Sequence, residues 1–220
     1  MALLDPIHWE AVTPTMHELL GFMGQCAFAQ RFYLAGGTAL ALRLGHRRSM
    51  DLDFFSATDD VSRKTRREIQ SALSPLGLEV LEDADGNMVL LVSGLRVGFF
   101  GYGYELVAPL DSVEGVAVAG ITDVGLMKLD AIISRASRKD FYDLYFIARQ
   151  IPLTELLSLG RRKYPYARDF ELMAVESLVF FENADRDAQP SLLVDVAWEE
   201  VKEFFIYEAQ ALGKAWFGEF

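Results

Sequence analysis

Residues 35–56 read AGGTALALRLGHRRSMDLDFFS, and the last third of this stretch sets the architecture of everything around it. Side chains of a strand alternate between its two faces. A strand over Met50–Phe55 therefore turns Leu52 and Phe54 to one side and Asp51 and Asp53 to the other. Such a strand belongs in a sheet with one face in a core and one face that tolerates charge. Two carboxylates so close repel each other and lose hydration. A divalent cation relieves both penalties, and Mg²⁺ favours carboxylate oxygen combined with phosphate oxygen. The competing explanation is a strand end facing water, with Arg47 or Arg48 as counter-ions.

The residues just before this strand bear on that choice. RFYLAG (Arg31–Gly36) reads as a short strand ending in glycine, and TALALRLG (Thr38–Gly45) as a short helix closed by Gly45. Gly36, Gly37 and Thr38 thus stand between a strand and a helix. Glycine allows close backbone approach to a phosphate, and a helix N-terminus offers free N–H groups at the positive end of its dipole. A Gly-Gly-Thr turn alone is also an ordinary tight turn. Followed by Asp-x-Asp on the next strand, it places a phosphate cradle and a cation site on neighbouring elements.

Elsewhere, helical spacing runs from Pro14 to about Gln30 and again through VSRKTRREIQSALSPLG. LEVLEDADGNMVLLVSGLRVGFFGY predicts three strands with turns at DADGN and SG, and VEGVAVAG predicts one more. The character changes near residue 121. Thr122 is an N-cap candidate, and helical patterns follow to the end, with ENADRDAQPS (Glu182–Ser191) as the most polar connection. We expect an α+β segment over 1–121 and a helical one over 122–220.

The formal charge of −11 argues against general coating of nucleic acid, which needs local positive charge, yet leaves room for a basic patch. The single cysteine, Cys26, excludes an intramolecular disulfide framework and fits a reducing cytoplasm; its apolar helical setting predicts a buried thiol. The N-terminus lacks a basic start followed by a long apolar stretch, and no run reaches membrane-spanning length, so no membrane partner is expected.

GGTALALRLGHRRSMDLDFFS resembles the first motif of the polymerase-beta-like nucleotidyltransferases. Its nearest likeness is to the AbiEii/AbiGii toxin branch, with Gly-Gly-Thr-x-Leu followed by His-Arg-x-Ser-x-Asp-Leu-Asp-Phe. A second match is LMKLDAIISRASRKDFYDLYFIA (Leu126–Ala148), where that branch has a helical lysine and then a basic-Asp-x-x-Asp-Leu signature. The resemblance implies a polymerase-beta-like core, a mixed sheet with flanking helices, followed by a helical C-terminal half. It implies transfer of a nucleotidyl group from a nucleoside triphosphate. Gly36, Gly37 and Thr38, with Arg47 and Ser49, would hold the nucleotide; Asp51 and Asp53 would bind Mg²⁺; Lys128 would neutralise phosphate charge, with Asp140 nearby. It further implies a toxin of a toxin–antitoxin or phage-defence system, with an RNA (tRNA) or protein hydroxyl as acceptor and an antitoxin protein as partner. Many enzymes of this fold carry a third carboxylate on a later strand. The corresponding LRVGFFGY has none, which keeps open a catalytically inactive nucleotide- or partner-binding module.

Several residues keep two readings. His46 and Arg47 either contact phosphate or are exposed loop residues balancing Asp51. Ser49 either orients Asp51 or caps the turn. Arg63, Lys64, Arg66 and Arg67, and secondarily Arg161, Arg162 and Lys163, are either solvated faces or RNA-contacting patches. The aromatics of FGYGYE (Phe100–Glu105) either stack a base or pack within the protein.

Overall fold

The computed structural model describes residues 1–217. It falls into two compact units, Met1–Gly120 and a second beginning at Ile121. Residues 218–220 of the expected 122–220 segment lie outside the described residues.

The first unit carries strands β1 (Ala2–Leu3), β2 (Tyr33–Leu34), β3 (Asp51–Ser56), β4 (Leu78–Ala84), β5 (Asn87–Val92), β6 (Leu95–Gly101), β7 (Asp111–Val113) and β8 (Val116–Val118). Its helices are α1 (Pro14–Met23), α2 (Gly36–Leu44) and α3 (Arg63–Leu73). The eight strands form one mixed sheet in the order β1-β7-β8-β2-β3-β6-β5-β4. At its centre β3 runs antiparallel to β2 and parallel to β6, with Asp51 beside Arg96, Asp53 beside Gly98 and Phe55 beside Phe100.

Alternation along β3 holds: Leu52 and Phe54 are buried, while Asp51, Asp53 and Phe55 are partly exposed. The core face gathers Phe28, Phe32 and Phe54 around Phe99, with ring centroids 5.8, 5.4 and 5.3 Å from the Phe99 ring. Each is at most 2% exposed. Burial of such a side chain contributes about 1.5–3 kcal/mol, so this face fixes the register of the sheet and hence the direction of the two aspartates.

Four features depart from expectation. VEGVAVAG contributes to a β7–β8 hairpin instead of one strand, turning at Glu114-Gly115. The first helix stops at Met23 and resumes as a 3₁₀ turn over Ala27–Arg31. A Cβ at Gly24 would lie 1.9 Å from the Glu114 carbonyl oxygen, so the chain breaks where that hairpin presses on it. Cys26 sits in the break, partly buried, its thiol donating to the Phe22 carbonyl at 3.5 Å. It is not the core thiol the helical pattern suggested. Ala2–Leu3, too short to show a pattern, pairs in parallel with β7.

The outermost strand β4 is exposed along nearly its whole length. Its register with β5 slips between Val80 and Glu82, and it carries Glu79, Glu82 and Asp83.

The second unit is helical: α4 (Ile121–Ser134), α5 (Arg138–Ala148), α6 (Leu153–Ser158), α7 (Gly160–Lys163), α8 (Phe170–Ser177), α9 (Glu182–Arg186) and α10 (Trp198–Phe217). The polar stretch expected as loop begins with α9. Arg138 donates to the carbonyls of Ala184 and Asp185, and the Trp198 indole donates to the Asp185 carboxylate at 2.7 Å. Tertiary partners thus stabilise a turn of helix that its composition disfavours. Asp187 in return caps α5, accepting from the Ser137 hydroxyl and the Arg138 amide. Among the described residues no helix is long and apolar enough to cross a membrane.

Candidate active site

The start of α2 and the start of β3 are tied together beneath a partly exposed face. Gly36 opens the helix with φ +64°, a left-handed value that favours glycine, and a Cβ there would stand 3.6 Å from Asp53 Oδ2. The N-cap residue is Ala35, whose side chain has no oxygen to accept from the first turn. The N–H groups of that turn therefore start without the usual cap, beside the Asp53 carboxylate.

Thr38 and Ser49 do not point outward. Thr38 is 2% exposed; its hydroxyl donates to the Asp51 carbonyl and stands 2.8 Å from the Ser49 hydroxyl. The Thr38 hydroxyl is shared as donor between the Asp51 carbonyl and Ser49 Oγ. These two residues fix where β3 begins relative to α2. Thr38→Val is expected to lower stability by about 1–3 kcal/mol, because it strands two buried polar groups. Thermal unfolding should show a drop of several degrees, and Thr38→Ser should recover most of it.

His46 and Arg47 are buried, which excludes the exposed-loop reading for both. The Arg47 guanidinium donates to the Arg48 carbonyl at 3.0 Å, and a Cβ on Gly37 would fall 2.3 Å from its Nη2. Gly37 is therefore small to admit an arginine from within the protein. That fixed cation under the α2 N-terminus adds to the positive end of the helix dipole.

Asp51 and Asp53 are hard oxygen donors on an accessible face, which fits Mg²⁺. Among the described residues no group of three or more His, Cys, Asp or Glu side chains is gathered. Two carboxylates completed by substrate phosphate and water are a usual Mg²⁺ set. The neighbouring strand β6 turns Arg96, Gly98 and Phe100 to this face, none of them acidic. Arg96 Nη1 lies 3.4 Å from Asp53 Oδ1. Sequence reasoning missed Arg96: its alternation with Gly98 and Phe100 was visible, but the pairing of β6 with β3 was not.

The second unit brings Lys128 and Asp140 together. Lys128 Nζ is 2.8 Å from Asp140 Oδ1 and 2.6 Å from Asp143 Oδ2, all three side chains at most 5% exposed. Arg135 clasps Asp140 with two further bonds of 2.8 and 3.0 Å. Burial by itself would raise the Asp140 carboxyl. The Lys128 ammonium and the Arg135 guanidinium outweigh it and hold the carboxyl below the usual range. Bonds from Ser137 and the Arg138 amide do the same for Asp187. A depressed carboxyl contributes stability above its unfolded value, about 3.9, and loses it as pH falls through the folded value. Acid titration followed by far-ultraviolet circular dichroism should therefore show loss of structure below about pH 4. Asp140→Asn should flatten that dependence.

The proposed basic patches are each incomplete. Arg66 is buried and donates to Asp85 at 2.9 Å and to the Val61 carbonyl at 2.7 Å, leaving Arg63, Lys64 and Arg67 exposed on α3. Lys163 is buried with its Nζ 2.7 Å from Asp123 Oδ1, leaving Arg161 and Arg162 outside.

Both the family and the fold have counterparts among known proteins. The family model for the nucleotidyl transferase AbiEii toxin of type IV toxin–antitoxin systems matches residues 19–105 and 104–216. The uncharacterized protein aq_aa25 of Aquifex aeolicus (strain VF5) is 39% identical over 180 residues, 79% of this chain and 84% of its own length. A solved putative nucleotidyltransferase from H. pylori shares the fold, with TM-score 0.55 and 21% identity over 94% of this chain and 96% of that one. So does MenT4, the nucleotidyltransferase toxin Rv2826c of Mycobacterium tuberculosis H37Rv, with TM-score 0.54 and 18% identity over 89% and 83%. With both halves of the chain matched by that family model, this protein belongs to the AbiEii family of nucleotidyltransferase toxins.

Proposed function

We propose that the protein is a Mg²⁺-dependent nucleotidyltransferase. It moves a nucleoside monophosphate from a nucleoside triphosphate to a hydroxyl of RNA (tRNA first among candidates) or of a protein. We also propose that it serves as the toxin of a toxin–antitoxin or phage-defence pair. The observation that carries the reading is the setting of Asp51 and Asp53. They share one accessible face beside the uncapped first turn of α2, with Arg47 fixed beneath it.

In the reaction, the acceptor hydroxyl oxygen attacks the α-phosphorus and gives its proton to solvent, while the bond from the α-phosphorus to the α,β-bridging oxygen breaks and pyrophosphate leaves with that oxygen. Bound Mg²⁺ would supply positive charge to the phosphate oxygens in this exchange. Asp51 and Asp53 would hold it. The first-turn amides of α2 would receive the triphosphate, with Gly36 giving room for its approach. Arg47, Thr38 and Ser49 act from below by fixing the helix start against β3. Lys128 and Asp140, the pair implied by resemblance, lie in the second unit, where Asp143 and Arg135 hold them. In-line displacement needs such positioning and electrostatics more than covalent help.

The test uses purified protein with Mg²⁺ and each of the four labelled triphosphates, offered total RNA and total protein separately. Label entering one fraction identifies the acceptor. Label entering neither, with every triphosphate and with either Mg²⁺ or Mn²⁺, would overturn the reading. Growth arrest on expression, relieved by an adjacent gene product, tests the toxin role.

A further inference from the structure

The face that carries Asp51 and Asp53 continues into a row of aromatic rings. Phe55 follows the two aspartates on β3, and Phe100 lies beside it on β6. A Cβ placed on Gly98 would lie 2.5 Å from Cε2 and Cζ of Phe100 and 3.1 Å from Asp53 Oδ1. The Phe100 ring therefore lies back over Gly98, toward the carboxylate. From there the row runs outward. Phe55 stacks on Phe100 at 5.1 Å, Tyr102 meets Phe55 edge-on at 5.4 Å, and Tyr104 meets Tyr102 edge-on at 5.0 Å. The Tyr102 amide donates to the Ser56 carbonyl at 2.8 Å, which holds its ring beside the end of β3.

These rings differ from the core aromatics on the other side of the same strands. Phe54 and Phe99 are at most 1% exposed, whereas Phe55, Phe100, Tyr102 and Tyr104 are all partly exposed. A run of accessible aromatic surface bordering charged groups marks a place where a flat apolar ligand group is received. The surroundings narrow the choice. Gly101 packs against the backbone of Asp60, whose side chain is exposed, and Glu105 follows the tyrosines. Such carboxylates repel a polynucleotide backbone. They matter less to one nucleotide whose phosphates are neutralised at Asp51 and Asp53.

We propose that Phe100, Phe55 and Tyr102 form the stacking wall for the nucleobase of the donor triphosphate, starting at the Asp53 carboxylate and running outward along β6. This deepens, and rests on, the reading of the same face as the triphosphate site. Gly98 is then a specificity position, because any larger residue displaces the Phe100 ring.

The test is calorimetric titration in Mg²⁺ with each nucleoside triphosphate, with inorganic tripolyphosphate and with a single-stranded oligonucleotide. It is run on the wild type, Phe100→Leu and Tyr102→Leu, the tyrosine variant serving if loss of Phe100 disturbs the fold. Loss of a stacked ring should weaken the preferred triphosphate about tenfold or more and leave tripolyphosphate unchanged. Equal triphosphate affinity in folded variants would overturn the proposal. So would wild-type protein that binds tripolyphosphate as tightly as any triphosphate, or a loss confined to the oligonucleotide. The two readings fail separately. Tripolyphosphate binding that is lost in Asp53→Asn, with no gain from any base, removes the wall and keeps the phosphate site. Base-dependent binding without transfer to any acceptor keeps the wall and removes the transfer reaction.

Discussion

Asp53→Asn should reduce nucleotidyl transfer by about a thousandfold or more, with the protein still folded. The amide keeps the size of the side chain but withdraws the negative charge that would hold Mg²⁺ against a triphosphate, and electrostatic groups of this kind carry factors of about 10²–10³ or greater. Asp53 stands next to both the opening glycine of α2 and Arg96. Asp51→Asn should lose activity to a similar degree. The double variant should lose little more than either single one, since residues that act on one ion do not add. Unfolding temperature should stay within a few degrees of wild type or rise, because removal of one of two facing carboxylates relieves repulsion. Transfer assays with radiolabelled triphosphate, paired with thermal unfolding of the same preparations, check both halves. Activity retained in Asp53→Asn would remove the aspartate pair from the chemistry.

The largest effect on stability should come from Lys163→Met. The Lys163 ammonium and the Asp123 carboxylate are wholly buried and 2.7 Å apart. Truncating the lysine leaves a carboxylate that must stay charged in a medium that disfavours charge or take up a proton. Breaking one side of such a pair costs about 3–5 kcal/mol, a fall of roughly 10 °C in a chain of this size. Replacing both, as Asp123→Leu with Lys163→Met, should restore most of the loss, because apolar groups of similar volume carry no desolvation penalty. A Lys163→Met protein as stable as wild type at neutral pH would show that the pair is solvated.

These buried pairs also mark where reading the chain ran short. Arg66 and Lys163 look like members of exposed basic runs, and each local run does have exposed neighbours. Their partners, Asp83 and Asp85 in one case and Asp123 in the other, lie on other elements, so nothing within the run distinguishes them. Lys128 was similar: no acid on its own helix explained it, and Asp140 and Asp143 come from the next one. By contrast, β3 was legible because a two-residue period over DLDFFS is a local signal, and the β4–β5–β6 turns were legible from Asp85-Gly86 and Ser93-Gly94. The order of strands was not, because parallel pairing of β3 with β6 is set by distant contacts. With it went the placement of Arg96 and the aromatic row. Polar composition misled at Glu182–Arg186, where Arg138 and Trp198 supply the bonds that hold the turn.

The sheet ends on β4, and that border has a bearing on how copies of the chain behave when crowded. An open border of unpaired amides and carbonyls invites a second copy to dock alongside and extend the ladder into a fibre. Here the register slip after Val80 bends the border, and Glu79, Glu82 and Asp83 would meet their own duplicates across any such junction. Replacing those acids with threonine would straighten the chemistry of the border and leave Val80 and Leu81 to nucleate amyloid-like stacking.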